Sequence, residues 1–316
     1  MSKVRICFLG TPDFAVTSLK ALMDDEHFEV VGVVTQPDRP AGRKMQLTPS
    51  PVKSLAQARG LRVISPESLK KNPLILAEIQ RWGAEVAVVV AFGQILSQEF
   101  LDLFPFGAVN VHGSILPRWR GAAPIQRSLE AGDKESGVAL QKVAKKLDAG
   151  DIIGIRRLSL DDEINAQELH DKLAVLGADL LSVELMDYMR GNLVPTPQNE
   201  SQVTYAHKIE KSEGEINWLL PAVEIHNKVR ALVMGPGTYT WLNGKKIKIH
   251  KTKVSEKSGA PTKTGMVMDV NQEFLAVQCD SGILNIYEVQ PESRTRMKVS
   301  DFLKGHPLKA GDHFGI

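Results

Sequence analysis

Apolar residues come in short bursts along the first third of the chain, and between the bursts they recur at helical spacing. Val4–Leu9 is an apolar run that stops at Gly10, and Val30–Thr35, Arg62–Ile64, Glu85–Ala91 and Ala108–His112 repeat that form. Short runs bounded by turn residues predict strands, and the Ala and Val run at 85–91 predicts a central strand covered on both faces. Asp13–Met23, Val52–Arg59, Leu74–Trp82 and Pro124–Ala131 carry the spacing of amphipathic helices. Strands alternating with helices predict an α/β domain, a doubly wound, Rossmann-like parallel sheet. Ligands of such sheets bind beyond the carboxyl ends of the strands. Gly10–Phe14, Phe92–Gly93 and His112–Pro117 all fall at that edge.

Farther along, Gln167–Arg190 predicts a long helix, with Leu169, Leu173, Leu176, Leu180 and Leu181 on its apolar face. The polar stretch 191–207, with prolines at 195 and 197, predicts a linker. Past it the pattern changes. Thr238–Leu242, Asn243-Gly244 and Lys245–Lys251 predict a hairpin, because Asn-Gly tolerates the positive φ of a type I′ turn. Phe274–Cys279, Asp280-Ser-Gly282 and Ile283–Val289 predict another. Closely spaced hairpins suggest a small OB-like β-barrel over 208–316. A chain of 316 residues accommodates both, with the α/β domain over 1–190.

Charge adds a little to this picture. The net charge of +2 is uninformative as a whole, but residues 208–316 carry 16 Lys and Arg against 12 Asp and Glu. That excess is a weak pointer to a polyanionic partner. Cys7 and Cys279 have neither metal-site nor disulfide spacing, which fits a reduced compartment. The opening residues Met1–Phe14 lack the apolar core of a secretory leader, so a cytoplasmic setting is expected. The longest apolar stretch, Val86–Phe92, is far below the roughly 20 residues needed to span a bilayer, so no membrane partner is expected. None of the eight histidines forms a two-ligand metal motif with a neighbour, and no metal is expected.

Two candidate sites at the strand ends read differently. Gly10-Thr-Pro-Asp-Phe14 is a poor dinucleotide loop: it has one glycine where the fingerprint needs three, and Pro12 removes an amide that a phosphate would use. Asn110 and His112 are more promising. Alternation along a strand puts them on one face, and Gly113 ends the strand beside them. An amide donor and an imidazole at a strand exit suit a reaction that builds negative charge on a carbonyl oxygen, with Asp148 a candidate acid. By composition alone the same residues also fit an ordinary hydrogen-bonded turn.

The longer context separates these readings. Asn110-Val-His-Gly-Ser-Ile-Leu-Pro117, Arg118-Trp-Arg-Gly-Ala-Ala-Pro124 and Leu147-Asp-Ala-Gly-Asp151 together resemble the signature of the folate-dependent formyltransferases. The resemblance implies acyl transfer between nitrogens, from 10-formyltetrahydrofolate to an amine. It assigns Asn110, His112 and Asp148 to catalysis. Such a reaction needs donors at the oxygen that becomes anionic and a path for two protons, without a covalent nucleophile. Ser114, Ile115, Leu116 and Pro117 match the family's folate-contacting segment, and Val90, Phe92 and Gly93 match a strand end that meets the pterin through backbone groups.

Two further features resemble the branch of the family that acts on initiator methionyl-tRNA. The long irregular loop Gln36–Lys53, with Arg39, Arg43 and Lys44, is similar to a loop that contacts the acceptor end of tRNA. Thr204-Tyr-Ala-x-Lys-Ile209 and the 238–251 hairpin are similar to an appended tRNA-binding barrel, in which Lys246 and Lys248, with Lys245, Lys251 and Lys253, would track phosphates. An edge strand guarded by lysines is the alternative. The chain departs from the family at Lys44-Met-Gln46, at 139–146 and at Met234-Gly-Pro-Gly. A monomer is expected. The rival functions are formyl transfer to another amine such as a nucleotide sugar, hydrolysis of 10-formyltetrahydrofolate, and nucleic-acid binding by a decayed enzyme.

Overall fold

The structure is a computed structural model that describes residues 3–41, 45–70, 72–256 and 263–315. The chain divides into two compact units. The first comprises Met1–Gly121, Ser136–Leu158 and His170–Tyr205, and the second Ala122–Glu135, Ser159–Leu169 and Ala206–Ile316.

A seven-stranded sheet organises the first unit. Its strands run Val63–Ile64, Phe28–Val34, Val4–Gly10, Val86–Val90, Ala108–His112, Glu135–Lys142 and Ile152–Ser159 from one edge to the other. The first five are parallel. Every residue of Val86–Val90 is buried, as its unbroken apolar run requires. The strand order reverses between Val4–Gly10 and Val86–Val90, the point at which open α/β sheets form their ligand crevice. Helices Pro51–Ala58 and Pro73–Arg81 each begin with proline after a capping side chain. Ser50 accepts from Lys53 N, and Asn72 accepts from Ile75 N.

Two features of this sheet go beyond the sequence pattern. Glu135–Lys142 joins antiparallel to Ala108–His112, pairing Gln141 with Asn110 and Ala139 with His112. The long helix, Ala166–Met189, lies close behind the Ala108–His112 strand. A Cβ on its Gly177 would stand 2.8 Å from Val111 Cγ1. Val111 points away from the face that carries Asn110 and His112, so this packing fixes the strand from behind.

The second unit contains an antiparallel sheet in the order Thr238–Leu242, Lys245–Val254, Ile283–Pro291, Leu275–Gln278 and Val267–Val270. Asn243 and Gly244 have φ of 50° and 70°, as the type I′ turn demands. Register shifts at Ile249/Lys251 and Lys251/Thr252 mark bulges, which bend the long strand. Ile247, Ile249, Val277, Leu284, Ile286 and Phe302 form part of its core. Helix Ala222–Ala231 also belongs here, and it buries His226, Asn227 and Arg230. No described helix is long and apolar enough to cross a membrane.

Candidate active site

The alternation of the Ala108–His112 strand puts Asn110 and His112 on one face at its carboxyl end. His112 is buried. Its Nε2 lies 2.9 Å from the Trp119 carbonyl oxygen. A carbonyl only accepts, so Nε2 carries a proton and donates it there. Nδ1 then faces Asp148 Oδ2 across 3.7 Å, with both side chains nearly enclosed. That gap exceeds a direct hydrogen bond. Asn110 is partly exposed, and no hydrogen bond among the described residues engages its side-chain amide.

Asp148 is held more tightly than its turn-like sequence suggests. Its backbone adopts a left-handed φ of 47°. Oδ2 accepts from Gly121 N at 2.9 Å, and Oδ1 accepts from Gln141 Nε2 at 3.2 Å. Behind it stands a polar layer that local sequence reading misses. Gln198 Nε2 donates to the carbonyl oxygens of Asp148 and Gly150 at 2.8 and 2.7 Å. Fully buried Arg120 donates through Nε and one terminal nitrogen to Gln198 Oε1 and reaches Glu200 Oε1 at 2.7 Å. Lys146 donates to the other Glu200 oxygen. Arg120 and Lys146 together hold the Glu200 carboxyl down at about 2.

Gly150 in the Leu147–Asp151 segment has a steric reason. A Cβ there would lie 1.8 Å from the Lys142 carbonyl oxygen, on a strand that also carries Gln141. Gly150→Ala must therefore push the Asp148 turn off that strand. It is expected to cost about 1–3 kcal/mol, as overpacking does, and to lower turnover as well. Urea unfolding beside a steady-state assay checks both; unchanged stability would mean that the turn moves freely.

The remaining candidates fall in different surroundings. Ser114 is buried, and its hydroxyl donates to Arg118 O at 2.7 Å, so it braces the turn. Leu116 is buried as well, Ile115 and Pro117 are partly exposed, and the Leu116–Pro117 peptide is cis. The Val90 and Phe92 side chains belong to the core, while Ala91 and Gly93 are exposed at the strand end with positive φ. The Phe92 carbonyl already accepts from Thr11 Oγ1 and Gln36 Nε2.

Arg39 opens a small ladder, Arg39–Ala41 against Gln46–Thr48, so the long loop is not wholly irregular. Arg43 and Lys44 lie outside the described residues. In the second unit, Lys246 and Lys248 flank buried Ile247. The Lys246 ammonium sits 3.4 Å over the Tyr239 ring. Residues 245–249 of their strand pair with Thr238–Leu242 and 247–254 with Ile283–Pro291, so Lys248 is not on an edge, whereas Lys246 is paired on one side only.

A cavity of about 500 Å³ lined by Val4, Glu85, Phe106 and Met189, among others, lies where the parallel strands begin, at the end opposite His112. Among the described residues, no group of three or more His, Cys, Asp or Glu side chains could hold a metal ion.

Comparison with known proteins bears on this geometry. Residues 4–185 match the formyl transferase family, and residues 208–307 match the formyl transferase C-terminal domain. The chain is 67% identical over 318 residues to the methionyl-tRNA formyltransferase of Bdellovibrio bacteriovorus, covering 100% of both chains. To that of Caldanaerobacter subterraneus it is 44% identical, covering 98% of this chain and 99% of the relative. Among solved structures, an N-formyltransferase from Helicobacter canadensis, in complex with folinic acid and dTDP-3-aminofucose, shares the fold. Its TM-score is 0.66 at 19% identity, over 90% of this chain and 98% of that one. The chain belongs to the methionyl-tRNA formyltransferase branch of the formyl transferase family.

Proposed function

We propose that this chain transfers the formyl group of 10-formyltetrahydrofolate to the α-amino group of methionine on initiator methionyl-tRNA, in the cytoplasm and as a monomer. The observation that carries the reading is the enclosed His112–Asp148 pair beside the unengaged Asn110 amide. It occurs in a chain that matches methionyl-tRNA formyltransferases over its whole length.

The residues present fit a folate. Ala91 and Gly93 expose backbone at the end of a buried strand, and that strand pairs with the one carrying Asn110. The Ser114–Pro117 turn leads away from the same edge. Bound there, the folate supplies an activated formyl group. Asn110 donates its amide to the formyl oxygen as negative charge develops on it. His112 keeps a proton on Nε2 through Trp119 and presents Nδ1 to Asp148, so a proton leaving the amine has an imidazole and a carboxylate to hold it.

The same reading makes 1–190 the catalytic domain, 191–207 a linker and 208–316 the tRNA-binding domain. Arg39, Arg43 and Lys44 are assigned to the acceptor end, and Lys246 and Lys248 to phosphates. Phosphate contacts release counterions and carry no sequence information. Replacing Lys246 and Lys248 together by alanine should lower the slope of log K against log salt by about 1 per lysine, for initiator and elongator tRNA alike. An unchanged slope would remove both lysines from the interface.

The function itself is tested by giving the purified protein 10-formyltetrahydrofolate with either charged initiator tRNA or a dTDP-amino sugar. Formylmethionyl-tRNA is the expected product, including after exhaustive chelation. Formylated sugar, or free formate alone, would overturn the reading.

A further inference from the structure

We propose that Gln141 is a positioning residue for this reaction, one that fixes the Asp148 carboxylate against His112. The inference rests on the catalytic reading above but not on the identity of the amine acceptor.

The orientation of the amide follows from its surroundings. Arg120 has only donors, so Gln198 must turn its carbonyl oxygen toward it, at 3.0 and 2.9 Å from Nε and a terminal nitrogen. The Gln198 NH2 then points the other way. Its two hydrogens are shared among three acceptors, the carbonyl oxygens of Asp148 and Gly150 at 2.8 and 2.7 Å and, through a bifurcated bond, Gln141 Oε1 at 3.2 Å. With its oxygen engaged, Gln141 has only its NH2 left for Asp148 Oδ1. A buried guanidinium thus sets the sense of two consecutive amides, ending in a donor to the carboxylate.

Gly121 N holds the other oxygen, Oδ2, which is also the atom facing His112 Nδ1. Held at both oxygens, the carboxylate cannot rotate away from the imidazole. Gln141 is itself 1% exposed and pairs in register with Asn110, so its side chain lies on the catalytic face. It falls in the 139–146 segment, where the chain departs from the family pattern.

Gln141→Met keeps length and bulk and removes both polar atoms. It should lower kcat about ten- to a hundredfold, the scale of a misplaced catalytic group, with KM for both substrates within about twofold. A double-mutant cycle supplies the readout that a merely structural role would not move. In an Asp148→Ala background, Gln141→Met should change kcat by less than about twofold, because the group it positions is gone. Multiplicative losses in the cycle, or a raised KM with unchanged kcat, would overturn the proposal.

Should Gln141→Met fail to fold, Gln141→Glu preserves shape and the bond from Gln198 but sets a carboxylate against Asp148. Its kcat should fall about tenfold or more, because repulsion drives the carboxylate from its place facing His112, with KM for both substrates within about twofold. An unchanged kcat would count against the proposal. Asp148→Ala alone separates the two readings. Near-normal turnover there defeats the catalytic assignment and the inference with it. Low turnover there, with normal turnover in Gln141→Met, defeats only the role of Gln141.

Discussion

Asn110→Ala lowers kcat by about 10²–10³, the usual cost of losing a donor aimed at an oxyanion, and leaves the fold intact. Both halves of this expectation come from one structural fact. The backbone of Asn110 is tied into the sheet, paired with Val89 on one side and Gln141 on the other. Its side chain has no hydrogen-bond partner among the described residues. Removing the side chain therefore breaks nothing in the resting protein, and the thermal midpoint should stay within a degree or two. The cost arises only when charge appears on the substrate oxygen, so it falls on kcat and kcat/KM equally. Asn110→Asp is the sharper companion. It has the same shape but puts an acceptor where a donor is needed, and it should lose at least as much. Turnover within about threefold in the alanine variant would leave the oxyanion without its assigned donor.

What could be read from the chain, and what could not, divides by distance along it. Strands such as Val86–Val90, and the Asn243-Gly244 hairpin, follow from patterns a few residues long. Asn110 and His112 share a face because alternation is local as well. The helix at Ala222–Ala231 has no such signal, since part of its buried face is polar. His226 bonds Thr252 and the Asp162 carbonyl, and Arg230 bonds the Asp161 and Ile164 carbonyls. An apolar stripe is what periodicity detects, and here buried polar groups take part of its place. The Ile152–Ser159 strand lies at the sheet edge and is mostly only partly buried, so its alternation is blurred by Arg156 and Arg157.

The support of Asp148 is the least legible part. Arg120 and Gln198 are 78 positions apart, and although Arg120 lies in the signature segment, nothing local ties either residue to Asp148. Ser114 lies in the matching segment, and the bond from its hydroxyl to the Arg118 carbonyl is a further contact that strand alternation does not reveal.

Asp148→Asn should lower kcat by about 10²–10⁴, the span of general acid–base contributions, and it isolates charge from shape. Asparagine is among the few residues at ease with positive φ, so the turn at 47° is kept. The carboxylate meets donors at both oxygens, Gln141 at Oδ1 and Gly121 at Oδ2. An amide has one oxygen, so its NH2 must face one of these donors and leave it unpaired, for about 1–3 kcal/mol of lost stability.

The larger effect is on His112. Its Nε2 proton is committed to Trp119, so any proton the ring accepts must sit on Nδ1, 3.7 Å from Asp148. A carboxylate stabilises that doubly protonated ring; a neutral amide does not. Single-turnover rates with the protein in excess over charged tRNA read this step without product release. The loss should exceed that of Gln141→Met, because one substitution removes the charge and the other only frees it to rotate. Equal losses would mean that orientation alone matters, and a loss below about tenfold would take Asp148 out of the proton path.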